Sequence, residues 1–274
     1  MQLSRRNMIG ASLGMGLLGA RSNFAQQPPA EGAGGHPQPA MARPPTPPVP
    51  TRAGKITKLF KTPEGHPNAL SVAPEGWWVG EQLSDNACLL DSSGKLLKTV
   101  KTDSKNTSGM ACGGGCIWMG ANAEPNGIFQ IDLKSGAVIR HEIPLGGGGA
   151  HGLEYVDGKL WIAAQRIRGI LKVDTKTWEP EFLIPYSAPR AHGIAWNDGA
   201  LWMVFGDDEG SGLVKYQVTS GRILETVRFA EKYPDPHGLA VRDGALYTCD
   251  AGLHPGWQRE ESTASGYVCR IDLV

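Results

Sequence analysis

The chain repeats one pattern, most clearly in HGLEYVDGKLWIAA (residues 151–164), HGIAWNDGALWMVF (residues 192–205) and HGLAVRDGALYTCD (residues 237–250). Each copy begins with His-Gly, turns at Asp-Gly and continues into an apolar run that contains an aromatic residue. Two earlier segments, NALSVAPEGWWVGE (68–81) and SGMACGGGCIWMGA (108–121), align with them without gaps, and successive starts lie 40, 43, 41 and 45 residues apart. Such a period indicates one supersecondary unit repeated five times.

The repeated unit is built from strands. Short runs rich in Val, Ile, Leu and Trp are separated by glycine-containing turns, which is typical of tight hairpins, and four-stranded units of this length are typical of propeller blades. An outer strand follows four of the five copies, and GKITKLFKT at residues 54–62 matches GKLLKTVKT at residues 94–102. The sequence therefore predicts a closed five-bladed β-propeller over residues 54–274, in which residues 54–62 complete the last blade. An open solenoid is the alternative, but it would need capping units and would not explain the displaced outer strand.

The composition limits the partners. The 274 residues include 27 basic and 27 acidic side chains, so the formal net charge is zero. A neutral chain has no electrostatic footprint for nucleic acid or for an anionic membrane. We expect one folded domain, a monomer, that acts on a small molecule.

The N-terminal segments predict export. Residues 1–25 combine a twin arginine, Arg5–Arg6, with an apolar run too short to span a bilayer, which is typical of a cleavable export signal. An ordinary secretory signal is the alternative to the twin-arginine type. Residues 26–53 are rich in Pro and Gly and predict a disordered tether. We expect a periplasmic or secreted protein.

The first position of each repeat forms a polar column. In a propeller the innermost strands begin around the central axis, so residues at this position in different blades meet at one mouth of the ring. The column consists of Asn68, Ser108, His151, His192 and His237.

The three histidines predict a metal site. Three neutral imidazoles can hold one face of a divalent ion and leave positions open for water or substrate, and imidazole favours Zn, Fe or Mn over Ca or Mg. His66, two residues before the column, is a candidate fourth ligand. In the alternative interpretation, each histidine only bonds a neighbouring backbone carbonyl and the following glycine lets the strand bend. Asn68 and Ser108 at the same position show that the fold does not demand imidazole.

Carboxylates near the same mouth are candidate catalytic groups. Glu81 and Asp250 end the second strands of their units and are candidates for a general base or for a group that orients a ligand. Glu154 is the one charged residue at its position in the five units. It is either an axial carboxylate below the histidines or an interface carboxylate paired with Arg166 or Arg190.

A long loop borders the predicted site. The loop at residues 251–266 is longer than its equivalents, and irregular additions to a repeat fold usually serve binding. We expect it to form a wall or lid. It supplies a candidate catalytic residue, His254, and candidate substrate-binding residues, Trp257 and Arg259; Gln165, at a second-strand end, joins Asn68 and Ser108 in the substrate-binding set.

The five cysteines divide into two groups. Cys112 and Cys116 flank a hairpin turn, which makes a local disulfide plausible in an exported protein. Cys88, Cys249 and Cys269 lie at strand positions that are apolar or small in the other units, so we expect them to be buried in the core.

The units HGIAWNDGALWMVF and HGLAVRDGALYTCD resemble those of virginiamycin B lyase (streptogramin lyase) and of the wider NHL- and SMP-30-like propellers. The resemblance covers all five repeats. It implies a carbon–oxygen lyase that opens a cyclic ester by elimination, with a divalent metal near His192 and His237 and a base nearby. In the lyase the ring has seven blades, whereas this chain has five repeats.

Three functions are consistent with these features. The first is a periplasmic metal-dependent lyase or hydrolase that acts on a small ester, lactone or similar substrate. The second is a glutaminyl cyclase-like enzyme, because that activity also occurs on five-bladed propellers, although with EGL-type hairpins in place of HGL. The third is a non-catalytic periplasmic propeller that binds a ligand or a protein.

Overall fold

The computed structural model describes residues 49–186, 188, 190–207, 210–230, 234–252 and 262–274. The predicted export signal lies outside these residues. Within them the fold is all-β, with a short 3₁₀ turn at Pro144–Gly146. No helix in this part is long and apolar enough to cross a membrane.

The strands of the described residues are β1 (Thr51–Lys61), β2 (Pro67–Ala73), β3 (Gly76–Glu81), β4 (Ala87–Asp91), β5 (Leu96–Val100), β6 (Thr107–Gly113), β7 (Cys116–Ala121), β8 (Gly127–Asp132), β9 (Val138–His141), β10 (Ala150–Val156), β11 (Lys159–Ala164), β12 (Gly169–Asp174), β13 (Pro180–Pro185), β14 (Arg190–Asn197), β15 (Ala200–Asp207), β16 (Gly210–Gln217), β17 (Ile223–Phe229), β18 (Leu239–Arg242), β19 (Ala245–Cys249) and β20 (Tyr267–Leu273).

The strands form antiparallel four-stranded groups, one for each sequence repeat. Strands β2–β5, β6–β9 and β10–β13 are separate sheets, whereas β14–β17 and the group β1, β20, β19, β18 share an eight-stranded sheet. The two groups of that sheet are joined by a parallel pairing of β17 with β1. This arrangement is a β-propeller in which the repeats predicted from sequence are the structural units.

Strand β1 closes the last group, as predicted. It pairs antiparallel with β20 from Gly54 opposite Leu273 to Lys61 opposite Tyr267. It begins at Thr51, however, so residues 51–53 of the predicted tether belong to the strand. The reason is the parallel edge of β17, which supplies hydrogen-bond partners from Thr51 to Gly54.

The first strands of the groups pack closely around the axis. Strands β2, β6, β10, β14 and β18 contact one another in that order, and β18 contacts β2. A Cβ atom on Gly193 would lie 2.4 Å from the Leu239 nitrogen, and one on Gly152 would lie 2.5 Å from the His192 oxygen. The glycine after each histidine therefore allows neighbouring strands to approach, and neither glycine has the positive φ of a bending position.

The axis is filled below the first residues of these strands. The void there, lined by Leu70, Ser108, Gly152 and Leu239 among others, has 0 Å³ open to water. The repeated tryptophans Trp78, Trp118, Trp161 and Trp202 are buried between the groups, as predicted. The centre is thus closed to water at this level, and a cavity of about 70 Å³, which shares Leu70, Met110 and Leu239 with the void, lies next to it.

The cysteines are all free in the structure. The Cys112–Cys116 bridge that the sequence left open is not formed, because Cys112 pairs with Ile117 while Cys116 pairs with Gly113. Cross-strand partners share a face and neighbouring residues alternate, so the two thiols lie on opposite faces of the sheet. Cys88, Cys249 and Cys269 are buried, as expected, and burial raises the pKa of each.

Candidate active site

The structure brings the polar column together at the mouth of the propeller, and we call these five residues the polar ring. The ring centroids of His151 and His192 are 5.1 Å apart, and those of His192 and His237 are 4.6 Å apart. On the other side, Asn68 Nδ2 donates to Ser108 Oγ at 2.9 Å. The close packing of the first strands produces these contacts between residues more than 35 positions apart in sequence.

Backbone carbonyls fix the tautomers of two histidines. His151 Nδ1 lies 2.9 Å from the Ala191 oxygen, and His237 Nδ1 lies 2.7 Å from the Asp235 oxygen. A carbonyl oxygen only accepts, so each Nδ1 carries the hydrogen and each neutral ring keeps a lone pair on Nε2. The carbonyl bond of the alternative interpretation thus exists, but it occupies only one nitrogen of each ring.

Burial keeps these imidazoles neutral. It lowers the pKa of His151 and of His237 to about 4, because a charged ring would lose its hydration, and the positive charge of Arg190 lowers both further. At neutral pH both rings therefore present an unprotonated Nε2 atom.

An ion pair that the sequence analysis did not assign to the site adjoins the ring. Arg190 Nη2 lies 3.0 and 3.2 Å from the two carboxylate oxygens of Asp235 and 3.5 Å from His192 Nε2. Both residues stand two positions before a histidine of the polar ring. This position is polar in four of the five repeats, a signal that could have identified them: His66, Asn106, Arg190 and Asp235, with Gly149 as the exception.

The arrangement does not fit a three-histidine metal centre. A metal bound by imidazole lies near the ring plane, along the nitrogen lone pair, yet the planes of His151 and His192 are only 10° apart and stacked. No group of three or more His, Cys, Asp or Glu side chains in the described residues is arranged to hold an ion. Metal ligation by His151, His192, His237 and His66 would need ring rotations and stays a prediction.

A polar cavity lies at the β1–β2 turn, where His66 stands two residues before Asn68 of the polar ring, and we call it the rim cavity. His66 donates its backbone N–H to Glu81 Oε2 at 2.9 Å, and its Nδ1 lies 3.1 Å from the Ala251 oxygen. Burial raises the pKa of Glu81, whose Oε1 atom has no hydrogen-bond partner. The cavity has a volume of about 820 Å³, within the range of small-molecule sites. Its lining consists of Lys61, Thr62, Pro63, Glu64, Gly65, His66, Ser262 and Ser265.

Asp250 holds backbone in place. Its carboxylate accepts from Asp235 N at 2.9 Å, from Gly252 N at 2.8 Å and from Ser262 Oγ. These bonds fix the segment that carries Asp235, so Asp250 supports the ion pair.

Glu154 lies apart from the polar ring. It is three residues beyond His151 on β10, about 10 Å along an extended strand, and it borders a cavity of about 70 Å³ together with Ser71, Cys112 and Val241. Its Oε2 accepts from Trp196 N at 3.0 Å, and burial raises its pKa to about 7. Because the axis is filled between the two levels, Glu154 does not share a cavity with the histidines.

The remaining predicted site residues are Gln165 and three residues of the long loop. Gln165 is half-buried in the turn after β11, where its N–H donates to the Gly149 oxygen. His254, Trp257 and Arg259 lie outside the described residues, so the lid and their roles stay predictions.

No known family matches the sequence, and no curated protein matches it. Solved structures do resemble it. Glutaminyl cyclase from Myxococcus xanthus superimposes with a TM-score of 0.62 at 11% identity, covering 82% of this chain and 99% of that chain. Virginiamycin B lyase from Staphylococcus aureus superimposes with a TM-score of 0.50 at 19% sequence identity, covering 78% of this chain and 69% of that chain. A chain of a nidogen–laminin complex superimposes with a TM-score of 0.52 at 12% sequence identity, covering 67% of this chain and 72% of that chain. At such identities the likeness shows a shared fold, a virginiamycin lyase-like β-propeller, which confirms the resemblance noted in the sequence.

Proposed function

We propose that this propeller is an enzyme, a lyase or hydrolase that acts on a small ester or lactone at the polar ring. One observation carries the proposal: the buried imidazoles of His151 and His237, neutral at physiological pH and of fixed tautomer, flank His192, whose Nε2 lies 3.5 Å from the Arg190 guanidinium. A base and a nearby cation are two groups that promote cleavage of an ester bond.

His237 is the proposed general base. In an elimination, its Nε2 takes a proton from the carbon next to the C–O bond, the electron pair forms the C=C bond, and the carboxylate leaves. In a hydrolysis, Nε2 takes a proton from water as the water oxygen attacks the carbonyl carbon and the C=O π pair moves onto the carbonyl oxygen. When that pair returns, the ester C–O bond breaks and the alkoxide leaves with the proton from Nε2. The Asp235 carbonyl holds the ring in the required tautomer during either step.

Arg190 is the proposed electrophilic group. Its guanidinium would stabilise the negative charge that develops on the ester oxygen, and Asp235 holds it in place. The rim cavity offers room for the remainder of a substrate.

The remaining expectations belong to this proposal. We propose five blades, one for each repeat, and a periplasmic or secreted location given by the export signal at residues 1–25. The names of two structural neighbours, virginiamycin B lyase and glutaminyl cyclase, support an enzymatic role on this fold. A divalent metal stays part of the prediction, and no step above depends on it.

Turnover of a panel of small esters and lactones by the purified full-length protein tests the proposal. Mass spectrometry separates the reactions, because hydrolysis adds one water to the products and elimination adds none. Elemental analysis of the same sample tests the metal. Absence of turnover across the panel contradicts the proposal.

A ligand-binding propeller is the second candidate. A pKa of about 4 makes His151 and His237 weak bases but leaves them good hydrogen-bond acceptors. Saturable binding of a panel compound without turnover would favour this candidate.

A further inference from the structure

Two buried acceptor atoms of the polar ring lack a partner. His151 Nε2 and Asn68 Oδ1 are both inaccessible and form no hydrogen bond. Buried polar atoms in folded proteins are nearly always bonded, so two such atoms in one ring require an explanation.

The surroundings fix both atoms as acceptors. The Ala191 carbonyl takes the hydrogen of His151 Nδ1, which leaves Nε2 unprotonated. The amide of Asn68 is oriented by the Thr107 carbonyl, to which Nδ2 donates at 2.8 Å, so Oδ1 points elsewhere. Whatever satisfies these atoms must be a donor.

None of the described residues around them supplies that donor. Ser108, which lies between them in the ring, donates its hydroxyl to the Asn106 oxygen and accepts from Asn68. The void on the inner side has no volume open to water. A donor that reaches these atoms therefore has to come from the mouth, and because both atoms are inaccessible in the structure, the ring side chains have to move apart to admit it.

The charges favour a neutral donor. Arg190 contacts His192 Nε2, and its positive charge lowers the pKa of His151, so it repels a second cation near His151. The carboxylates of Asp235 and Asp250 are engaged by Arg190 and by backbone N–H groups. An amide N–H or a hydroxyl meets the acceptors without adding charge.

We infer that Asn68 and His151 recognise a neutral hydrogen-bond donor of the substrate, an amide N–H or a hydroxyl, while His237 and Arg190 act on the ester group. The inference rests on the proposed function. It divides the polar ring into a recognition side and a reacting side, and it assigns His151 to recognition.

Binding of small inert probes tests this division. The full-length ¹⁵N-labelled protein is titrated with N-methylacetamide, with 2-butanone, which has the same shape but no N–H and no ester bond, and with methylammonium. Long-range ¹H–¹⁵N spectra report His151 Nε2, assigned by its loss in His151→Asn. That variant keeps a donor for the Ala191 carbonyl. His141, which bonds Gln130 on an outer strand, is the internal reference, and His141→Asn is the control variant.

We expect N-methylacetamide to shift the His151 signal saturably and to bind about 10-fold more tightly than 2-butanone, the effect of one hydrogen bond. In Asn68→Ser the His151 signal persists and this preference falls. Three outcomes would each overturn the inference. The two neutral probes could shift the His151 signal equally, or only methylammonium or added Zn²⁺ could shift it. The third outcome is that no probe shifts the signal, because water already donates to both atoms. Binding does not depend on turnover, so probe binding without ester cleavage contradicts only the proposed function.

Discussion

The two sides of the polar ring use the same backbone position differently. On one side, Asn68 bonds Ser108, and Ser108 bonds the Asn106 carbonyl within its own unit. On the other side, His151 donates to Ala191 in the next unit and His237 donates to Asp235 two residues earlier.

The difference separates what the fold needs from what the site offers. A short amide and a hydroxyl suffice to begin two of the five first strands, so an imidazole is not required for folding. In His151 and His237, Nδ1 fulfils the structural bond and Nε2 carries a lone pair. The histidine side is therefore the side on which we place the proposed base, His237, and the acceptor proposed for recognition, His151.

We expect the largest effect on ester turnover when the three histidines are replaced by the residue types of the other side, Asn and Ser. The variant His151→Asn/His192→Ser/His237→Asn removes every Nε2 atom of the ring but retains donors or hydroxyls for the backbone. We expect ester turnover to fall by about 10²–10⁴, the usual contribution of general acid–base catalysis. Thermal melting followed by circular dichroism checks that the fold remains. Unchanged kcat/KM in a folded variant would show that the histidines do not take part.

A second comparison concerns the glycine that follows every ring position except Asn68, which Ala69 follows. A Cβ on Gly193 would lie 2.4 Å from backbone of the next unit, whereas one on Gly109 would lie 3.1 Å from its nearest atoms. Overpacking usually costs about 1–3 kcal/mol and occasionally more. We expect Gly193→Ala to lose about 3 kcal/mol of unfolding free energy and Gly109→Ala about 1 kcal/mol. Urea denaturation measures both, and equal losses would mean that the histidine side is not the more tightly packed.

The smallest effect is a pH dependence of stability confined to the histidine side. Folding lowers the pKa of His237 from 6.5 to about 4, so between these values the unfolded chain binds a proton that the folded chain does not. Stability contributed in this way is lost as pH falls from 6.5 towards 4. We expect His237→Asn to reduce the loss of Tm across this range, whereas Asn68→Ser leaves it unchanged.

Glu154 contributes a pH dependence of stability of the opposite sign. Its pKa is raised from 4.5 to about 7, so the folded chain holds a proton that the unfolded chain releases, and stability falls as pH rises through this window. The Glu154→Gln variant is therefore the background in which the histidine effect is measured. A Tm profile that is identical in Glu154→Gln and in Glu154→Gln/His237→Asn would contradict the assigned pKa.

The repeat made the architecture and the polar ring predictable. The alternation of apolar residues and the glycine turns define the strands, and the likeness of residues 54–62 to an outer strand predicted the pairing of β1 with β20. The first positions of the five repeats predicted that Asn68, Ser108 and the histidines would meet, because equivalent residues of a ring of repeats lie at the same height along its axis.

Details that depend on register and side-chain rotation were not predictable. The faces of Cys112 and Cys116 follow from which residues pair across a single turn. The stacking of His151 on His192 depends on rotamers, which a repeat pattern does not encode. Arg190 and Asp235 were missed because they lie two positions before the polar-ring residues, where the residues of most repeats are polar but not identical. A search for identical residues does not find such a position.

Both proposed roles require His151 and His237 to be neutral, with hydrogen on Nδ1 and a lone pair on Nε2. A pH titration of the ¹⁵N imidazole signals measures this, because the nitrogen shifts distinguish the two tautomers from the charged form. We expect His151 and His237 to be Nδ1–H tautomers at neutral pH with a pKa of about 4. Titration near the ordinary value of 6.5, or hydrogen on Nε2 at neutral pH, would rule out both roles.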